Sequence, residues 1–375
     1  MRKEPLPSVG VSVDPKDHPF GYVLDGAPRA STREKLLAIY ARDVLPPRIT
    51  SVWTPESAGF VAPYDVDFLV AAYEAVVRRD FRRKAVVAAL GAAALVAIAV
   101  ALTGELGLGR LAVLFAVYAL LALVPFLLAF GERLDAHRAA RARLAAPDLD
   151  RTLSRLLART QAAGSYTLAG AWWGIVVVSL FAGGDRVIRA AGLVKEGAER
   201  GEAWRMLTAA FVHAGVYHAM FNASALLAWG PLVEATVGSP TLGLVFLLSA
   251  LGGSAASLAL VSQTSVGASG GLLGVLGFLL VYAWRERRRL PIGFLRRLAT
   301  SLAFVALYGV LLAFLIDNAA HGGGLATGVV CGLFLARGDP SAPPVPSAAR
   351  AAAGVVAWCV LACAFALTVV LAWPN

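Results

Sequence analysis

Charge is missing from the middle of this chain. From Ala235 to Trp284 there is no Asp, Glu, Lys or Arg. That run holds two apolar spans, parted by the polar patch Ser262-Gln263-Thr264-Ser265, and about 20 residues suffice to cross a bilayer as a helix. Cysteine is scarce as well. The three present, Cys331, Cys359 and Cys363, all fall in apolar stretches without CxxC or Cys/His ligand spacing. This argues against a disulfide framework and against a metal centre, so no cofactor is expected. Histidine occurs five times, and His213, His218 and His321 lie inside apolar stretches. An ionisable group at membrane depth is costly and marks a functional site by default. The segment Met1-Arg2-Lys3-Glu4-Pro5 is polar and shows no signal-peptide pattern.

What the chain has in abundance is apolar surface. It is 58% hydrophobic with mean hydropathy +0.69, beyond the range of soluble domains. Nine spans are predicted, at 85–102, 111–130, 164–182, 210–232, 242–261, 267–284, 298–316, 320–336 and 351–373. Each must be helical, because strands in lipid would leave backbone groups unpaired. The fold class is therefore all-α and polytopic.

The net charge of +10 would suit nucleic acid, but its placement suits a membrane. Arg78, Arg79, Arg82, Arg83 and Lys84 precede the first span. Seven arginines lie in 131–163, six in 285–297 and two in 337–350. With a cytoplasmic N-terminus, all of these clusters face the cytoplasm, as topogenic charge should. Loop 183–209, on the other side, balances five basic residues with four acidic ones. The expected partner is a lipid bilayer and not nucleic acid. The Arg-over-Lys, Ala-rich usage points to a bacterial cytoplasmic membrane.

These features divide the chain into six segments. Residues 1–84 form a polar cytoplasmic extension, either a small domain or a regulatory tail. In it, Ser31-Thr32-Arg33-Glu34 resembles a capping box before a helix that stops near Pro46-Pro47, and a second helix is expected from Asp65. Residues 85–130 form a transmembrane hairpin, and 131–163 a basic cytoplasmic linker. Residues 164–336 form a six-helix core. Residues 337–350 are a Pro-rich linker, and 351–375 add a last helix.

Chemistry concentrates in the core. His218 and Asn222 are four residues apart and share one helical face, where two donors could hold a developing oxyanion. The bland alternative is polar glue between helices. His213 falls off that face and is expected at the helix end in a supporting hydrogen bond. Ser269 opens an uncharged span within Gly267-Ala268-Ser269-Gly270-Gly271. A lone membrane serine is often only a small residue that permits close packing. His321 opens a later span, and a satisfied polar contact would also explain it. The glycines favour chemistry. Gly324, Gly328 and Gly332 repeat on the face of His321, and Gly270, Gly274 and Gly277 line the side of Ser269. Small-xxx-small stripes let backbones approach closely. If the two stripes meet, a serine hydroxyl finds the imidazole base it needs for nucleophilic attack. Asp317, four residues before His321, is a weak candidate for orienting the imidazole, so a dyad is favoured over a triad. The run 267–271 also satisfies G-x-S-x-G, but that elbow requires a preceding strand, and here an uncharged helical span precedes it.

At these residues the chain resembles the rhomboid family of intramembrane serine proteases. The matching pieces are Trp204-Arg205, His213, His218 with Asn222, Val233-Glu234 followed by Gly238-Ser239, the Gly267-to-Gly270 run, and His321 with Gly324 and Gly328. They span roughly 166–335 in order. The resemblance implies a six-helix core carrying two extra N-terminal helices and one extra C-terminal helix. It implies Ser269 as nucleophile and His321 as general base. The Ser269 N–H, His218 and Asn222 would form the oxyanion hole. Trp204-Arg205 would anchor an interfacial loop, and 298–316 would gate lateral entry of transmembrane protein substrates.

One departure stands out. Relatives often place an aromatic four residues after the serine, where this chain has Leu273, so imidazole orientation is expected to rest on packing and on Asn318. Two rival readings are a rhomboid-like protein that binds membrane clients without cutting them, and a small-solute transporter. The transporter predicts inverted repeats, and no duplication is evident.

Overall fold

The computed structural model describes residues 18–24, 26–42, 49–57, 59–80, 82–83, 86, 90, 136–145, 156–158, 160–291, 293–313, 315–337 and 344–373. The expected hairpin 85–130 lies outside the described residues, apart from positions 86 and 90. The chain divides into two compact units, 1–151 and 152–375.

The first unit departs from the all-helical expectation. It contains a three-stranded antiparallel sheet in the order β2-β1-β3, formed by β1 (Phe20–Leu24), β2 (Ala27–Ser31) and β3 (Ile49–Trp53). Helix α1 (Arg33–Arg42) starts one residue later than the capping-box reading implies, because Thr32 Oγ1 accepts the Lys35 amide at 3.3 Å. The second expected helix is present as α2 (residues 67–80) and begins just beyond Asp65. Helix α3 is Ala136–Ala145. Tyr22, Leu36, Tyr40, Val52, Leu69 and Tyr73 form the centre of a buried apolar core. The described part of the first unit is therefore a small folded α+β body.

The second unit is helical. It comprises α4 (Ala163–Ala182), α5 (Gly184–Ala191), α6 (Lys195–Glu199), α7 (Arg205–Thr208), α8 (Val216–Val237), α9 (Ser239–Leu260), α10 (Ser269–Arg285), α11 (Phe294–Leu311), α12 (Asn318–Leu335) and α13 (Ala348–Ala372). Helices α4, α9, α11 and α13 are long and apolar enough to cross a membrane, and α10 is a shorter apolar helix. These helices make the chain a polytopic helical membrane protein. The span expected at 210–232 is displaced. Helix α8 starts only at Val216, because Gly215 has φ +102, a conformation that breaks a right-handed helix and favours glycine. It then continues through Pro231 to Val237, as membrane helices can when neighbours satisfy the freed backbone groups.

Side chains shrink to nothing where α9, α10 and α12 meet. A Cβ on Gly324 or Gly328 would overlap the carbonyl oxygens of Gly270 and Gly274 respectively. A Cβ on Gly277 would lie 2.7 Å from the Leu325 carbonyl oxygen, and one on Gly253 would lie 2.7 Å from that of Ala320. The two glycine stripes meet as their spacing predicts. Helix α13 packs through Trp358, whose indole N–H donates to the Ser239 carbonyl at 3.1 Å. A Cβ at Gly164 or Gly243 would come within 2.6 and 2.7 Å of that indole.

One acidic side chain organises the start of α4. The Glu234 carboxylate accepts the Gly164 amide at 3.2 Å, the Ser165 amide at 2.7 Å and the Ser165 hydroxyl at 2.6 Å. Helix N-termini leave amides unsatisfied and carry partial positive charge, so a carboxylate fits there. Sequence reasoning had quoted Glu234 without a role.

Candidate active site

Ser269 is the first residue of α10, after a bend that Gly267 makes possible. Gly267 has φ +119, and its amide donates to the Ala209 carbonyl at 2.9 Å. A Cβ at Gly267 would sit 2.6 and 2.7 Å from Cε1 and Nε2 of His218 and 3.6 Å from Nδ2 of Asn222. The chain two residues ahead of Ser269 thus lies against both candidate donors. In the first turn of α10, the Ser269 amide has no carbonyl of its own helix to bond.

The donors differ in how they are held. The Ala214 amide donates to Nδ1 of His218 at 3.4 Å, which in a neutral ring puts the proton on Nε2. That nitrogen faces Gly267. Asn222 is buried, and its Nδ2 has no partner. Leaving a buried donor unpaired costs about 1–3 kcal/mol, so this amide is spare hydrogen-bonding capacity beside the start of α10.

His321 lies in the first turn of α12. Its neighbour Ala320 presents a carbonyl 3.2 Å from where a Gly270 Cβ would be, so the residues next to Ser269 and His321 touch. The segments that carry Ser269, His218, Asn222 and His321 therefore meet around Gly267 and Gly270. No hydrogen bond joins the Ser269 hydroxyl to the His321 ring among the described residues.

Three supporting expectations change. His213 precedes α8, and neither of its ring nitrogens has a partner. Instead of a supporting hydrogen bond it makes edge-to-face ring contacts, with Trp172 at 5.7 Å and with His218 at 5.2 Å. Asn318 donates from Nδ2 to the Gly309 carbonyl at 2.8 Å, which ties α12 to α11. Asp317 does not orient the imidazole, because its carboxylate is engaged elsewhere. Oδ1 accepts the Ala320 amide at 2.9 Å and caps α12, and Oδ2 accepts the hydroxyls of Ser257 and Ser265.

Asp317 belongs to a network that sequence reasoning missed. Lys195, which is 6% exposed, donates to Ser257 Oγ at 2.5 Å and to Ser265 Oγ at 3.1 Å. Burial alone would raise the Asp317 carboxyl, but the hydrogen bonds from Ser257, Ser265 and Ala320 outweigh it, with help from the Lys195 charge. The group is held below its ordinary value. Burial lowers the Lys195 ammonium, and Asp317 opposes this only in part. The sequence signal was weak, since Lys195 was one of five basic residues in a loop of balanced charge.

Arg205, of the expected loop anchor, braces that loop from within. Arg205 is buried and donates from Nη1 to the carbonyls of Arg189, Ala190 and Gly192 at 3.1, 3.2 and 2.9 Å. It pairs with Glu202 and lies 4.4 Å from the Trp204 ring centroid. A cation at the last carbonyls of α5 suits the negative end of that helix. Among the described residues no cluster of His, Cys, Asp or Glu is arranged to hold a metal ion.

The segment that carries these residues is similar to known proteins. Residues 200–338 match the Rhomboid domain. The chain is 37% identical over 132 residues to rhomboid protease GluP of Bacillus subtilis, covering 34% of this chain and 25% of that protein. It is 36% identical over 142 residues to RHOMBOID-like protein 6, mitochondrial, of Arabidopsis thaliana, covering 36% of this chain and 44% of that one. To rhomboid protease GlpG of Pectobacterium atrosepticum it is 34% identical over 135 residues, covering 34% and 46%. The chain thus spans between a quarter and under half of the length of these relatives. The matched segment contains Ser269, His321, His218 and Asn222 together, so the chain carries a Rhomboid domain over residues 200–338.

Proposed function

We propose that this chain is an intramembrane serine endopeptidase that cleaves transmembrane helices of other proteins near the outer face of the membrane. Ser269 Oγ attacks the scissile carbonyl carbon while His321 accepts the hydroxyl proton. The carbonyl π pair moves onto oxygen, where the Ser269 amide, His218 Nε2–H and Asn222 Nδ2–H stabilise the negative charge. The C–N bond then breaks, and His321 returns its proton to the leaving amine. Water, deprotonated by His321, hydrolyses the acyl-enzyme and frees Ser269. The observation that carries this reading is the buried, unpaired Nδ2 of Asn222 beside His218 Nε2 at the start of α10. One such donor contributes typically about 3–4 kcal/mol to barrier lowering.

A substrate helix hides its peptide bonds in its own hydrogen bonds and must unwind locally. Helix-weakening glycine or proline near the cut site should favour cleavage. In this reading the N-terminus is cytoplasmic, and a bacterial cytoplasmic membrane is the proposed location.

The missing Ser269–His321 hydrogen bond favours one alternative, a rhomboid-like protein that holds membrane clients without cutting. Labelling of purified protein by a fluorophosphonate separates the two. Labelling lost in both Ser269→Ala and His321→Ala supports the protease. A folded parent that stays unlabelled in detergent and in lipid supports the client binder.

A further inference from the structure

Ser265 lies four residues before Ser269, and Asp317 lies four residues before His321. These two side chains are joined directly: the Ser265 hydroxyl donates to Asp317 Oδ2 at 2.5 Å. Ser257, on α9, stands 2.8 Å from Ser265 and also donates to Asp317. Lys195, at the start of α6, closes the cluster from the loop side. The loop is fastened here a second time, because Leu193 and Ser265 exchange backbone hydrogen bonds at 2.9 and 3.2 Å. One polar cluster therefore holds the loop, the end of α9, the lead into α10 and the cap of α12.

We propose that Lys195 is a positioning residue for the dyad, fixing through Ser257, Ser265 and Asp317 the separation between the Ser269 helix and the His321 helix. The inference rests on the protease reading above and adds to it the part played by loop 183–209. The two helices already touch through glycine, but a glycine seam resists approach and not sliding along its smooth stripes. The cluster supplies the resistance to sliding, since a charged pair bridged by two hydroxyls fixes direction as well as distance. Lys195 carries a compact ammonium with three donors, which suits two oxygens at 2.5 and 3.1 Å. Ser257 is not a second nucleophile, because its hydroxyl already donates to Asp317 and accepts from Lys195.

The test is the rate of fluorophosphonate labelling, normalised to folded protein, for the full chain in lipid. It compares the parent with Lys195→Met, Lys195→Arg and Asp317→Asn. A misplacement of about 1 Å in a reacting pair can cost about a hundredfold. Lys195→Met should therefore label about tenfold to a hundredfold more slowly per folded molecule, with Lys195→Arg recovering part of the rate. Asp317→Asn still caps α12 but carries no charge, and it should show a similar loss if Lys195→Met fails to fold. A Lys195→Met or Asp317→Asn protein that labels at the parent rate and is merely less stable overturns the proposal and leaves the protease reading intact. A parent that does not label at all overturns both.

Discussion

The Glu234 carboxylate accepts both the amide and the hydroxyl of Ser165, at 2.7 and 2.6 Å, so one acid on α8 closes the start of α4. Hydrogen bonds to a charged group contribute about 1.5–3 kcal/mol. Glu234→Ala should lower stability by about 2–4 kcal/mol, because it also leaves the Gly164 amide unpaired. Glu234 stands far along α8 from His218, so labelling per folded molecule should stay near the parent value. Thermal unfolding in detergent, read beside the labelling rate, checks both halves.

Gly324 and Gly322 make a matched pair on one helix. A methyl at 324 overlaps the Gly270 carbonyl, whereas a methyl at 322 meets nothing within 4 Å. Gly324→Ala is expected to cost about 1–3 kcal/mol by forcing α10 and α12 apart, and to slow labelling steeply. Gly322→Ala should leave stability within about 1 kcal/mol of the parent. Equal effects at the two positions would show that the seam is not what holds the helices.

Gly267→Ala acts on the site more than on the fold. It strains a backbone at φ +119, costing about 1–3 kcal/mol, and pushes a methyl against His218. The expected result is folded protein with labelling reduced at least about tenfold. Unchanged labelling would remove His218 from the site.

Asn222→Ala should separate function from stability. It deletes an oxyanion donor and is expected to lower kcat about 10²–10³-fold with KM little changed. The donor has no partner in the folded chain, so its loss should not reduce the unfolding temperature. A variant that unfolds early would mean the amide has a structural partner instead.

The Asp317 carboxyl is held below its ordinary value of 3.8. Its stabilising contribution is complete above that value and is lost as pH falls through the lower folded value. The difference in unfolding temperature between the parent and Asp317→Asn should be constant from about pH 5 to 8 and shrink below about pH 4. A difference that persists into acid would mean that charge on Asp317 is not what stabilises the cap.

What was legible in the sequence was what repeats. Gly324 and Gly328 opposite Gly270 and Gly274 form a seam because periodic small residues admit only one kind of partner. The apolar runs that became α4, α9 and α13 were equally plain, since bilayer thickness fixes their length. The polar cluster was not legible. Its members come from four segments up to 122 residues apart in sequence, as the numbers 195 and 317 show, and no local pattern links them. Lys195 read as a solvated loop charge because burial has no signature in composition. The sheet of the first unit was missed because its strands are five residues long and include Pro28. His213 was placed on a helix that Gly215 does not allow to begin so early.

Helix α11 is only 18 residues long, about 27 Å at the usual rise, and Arg296 and Arg297 occupy its first turn. Its apolar stretch is thus shorter than a hydrocarbon core of about 30 Å. Leu307, Val310 and Leu311 point outward, with exposures of 45%, 74% and 56%, so lipid is their surrounding. A short helix facing lipid draws the two leaflets together or leaves charge inside them, each at a cost per ångström of mismatch. Thinning of the membrane beside α11 is one way in which this mismatch is met. Acyl-chain length becomes a control variable for this protein in the way that temperature or salt is for a soluble one.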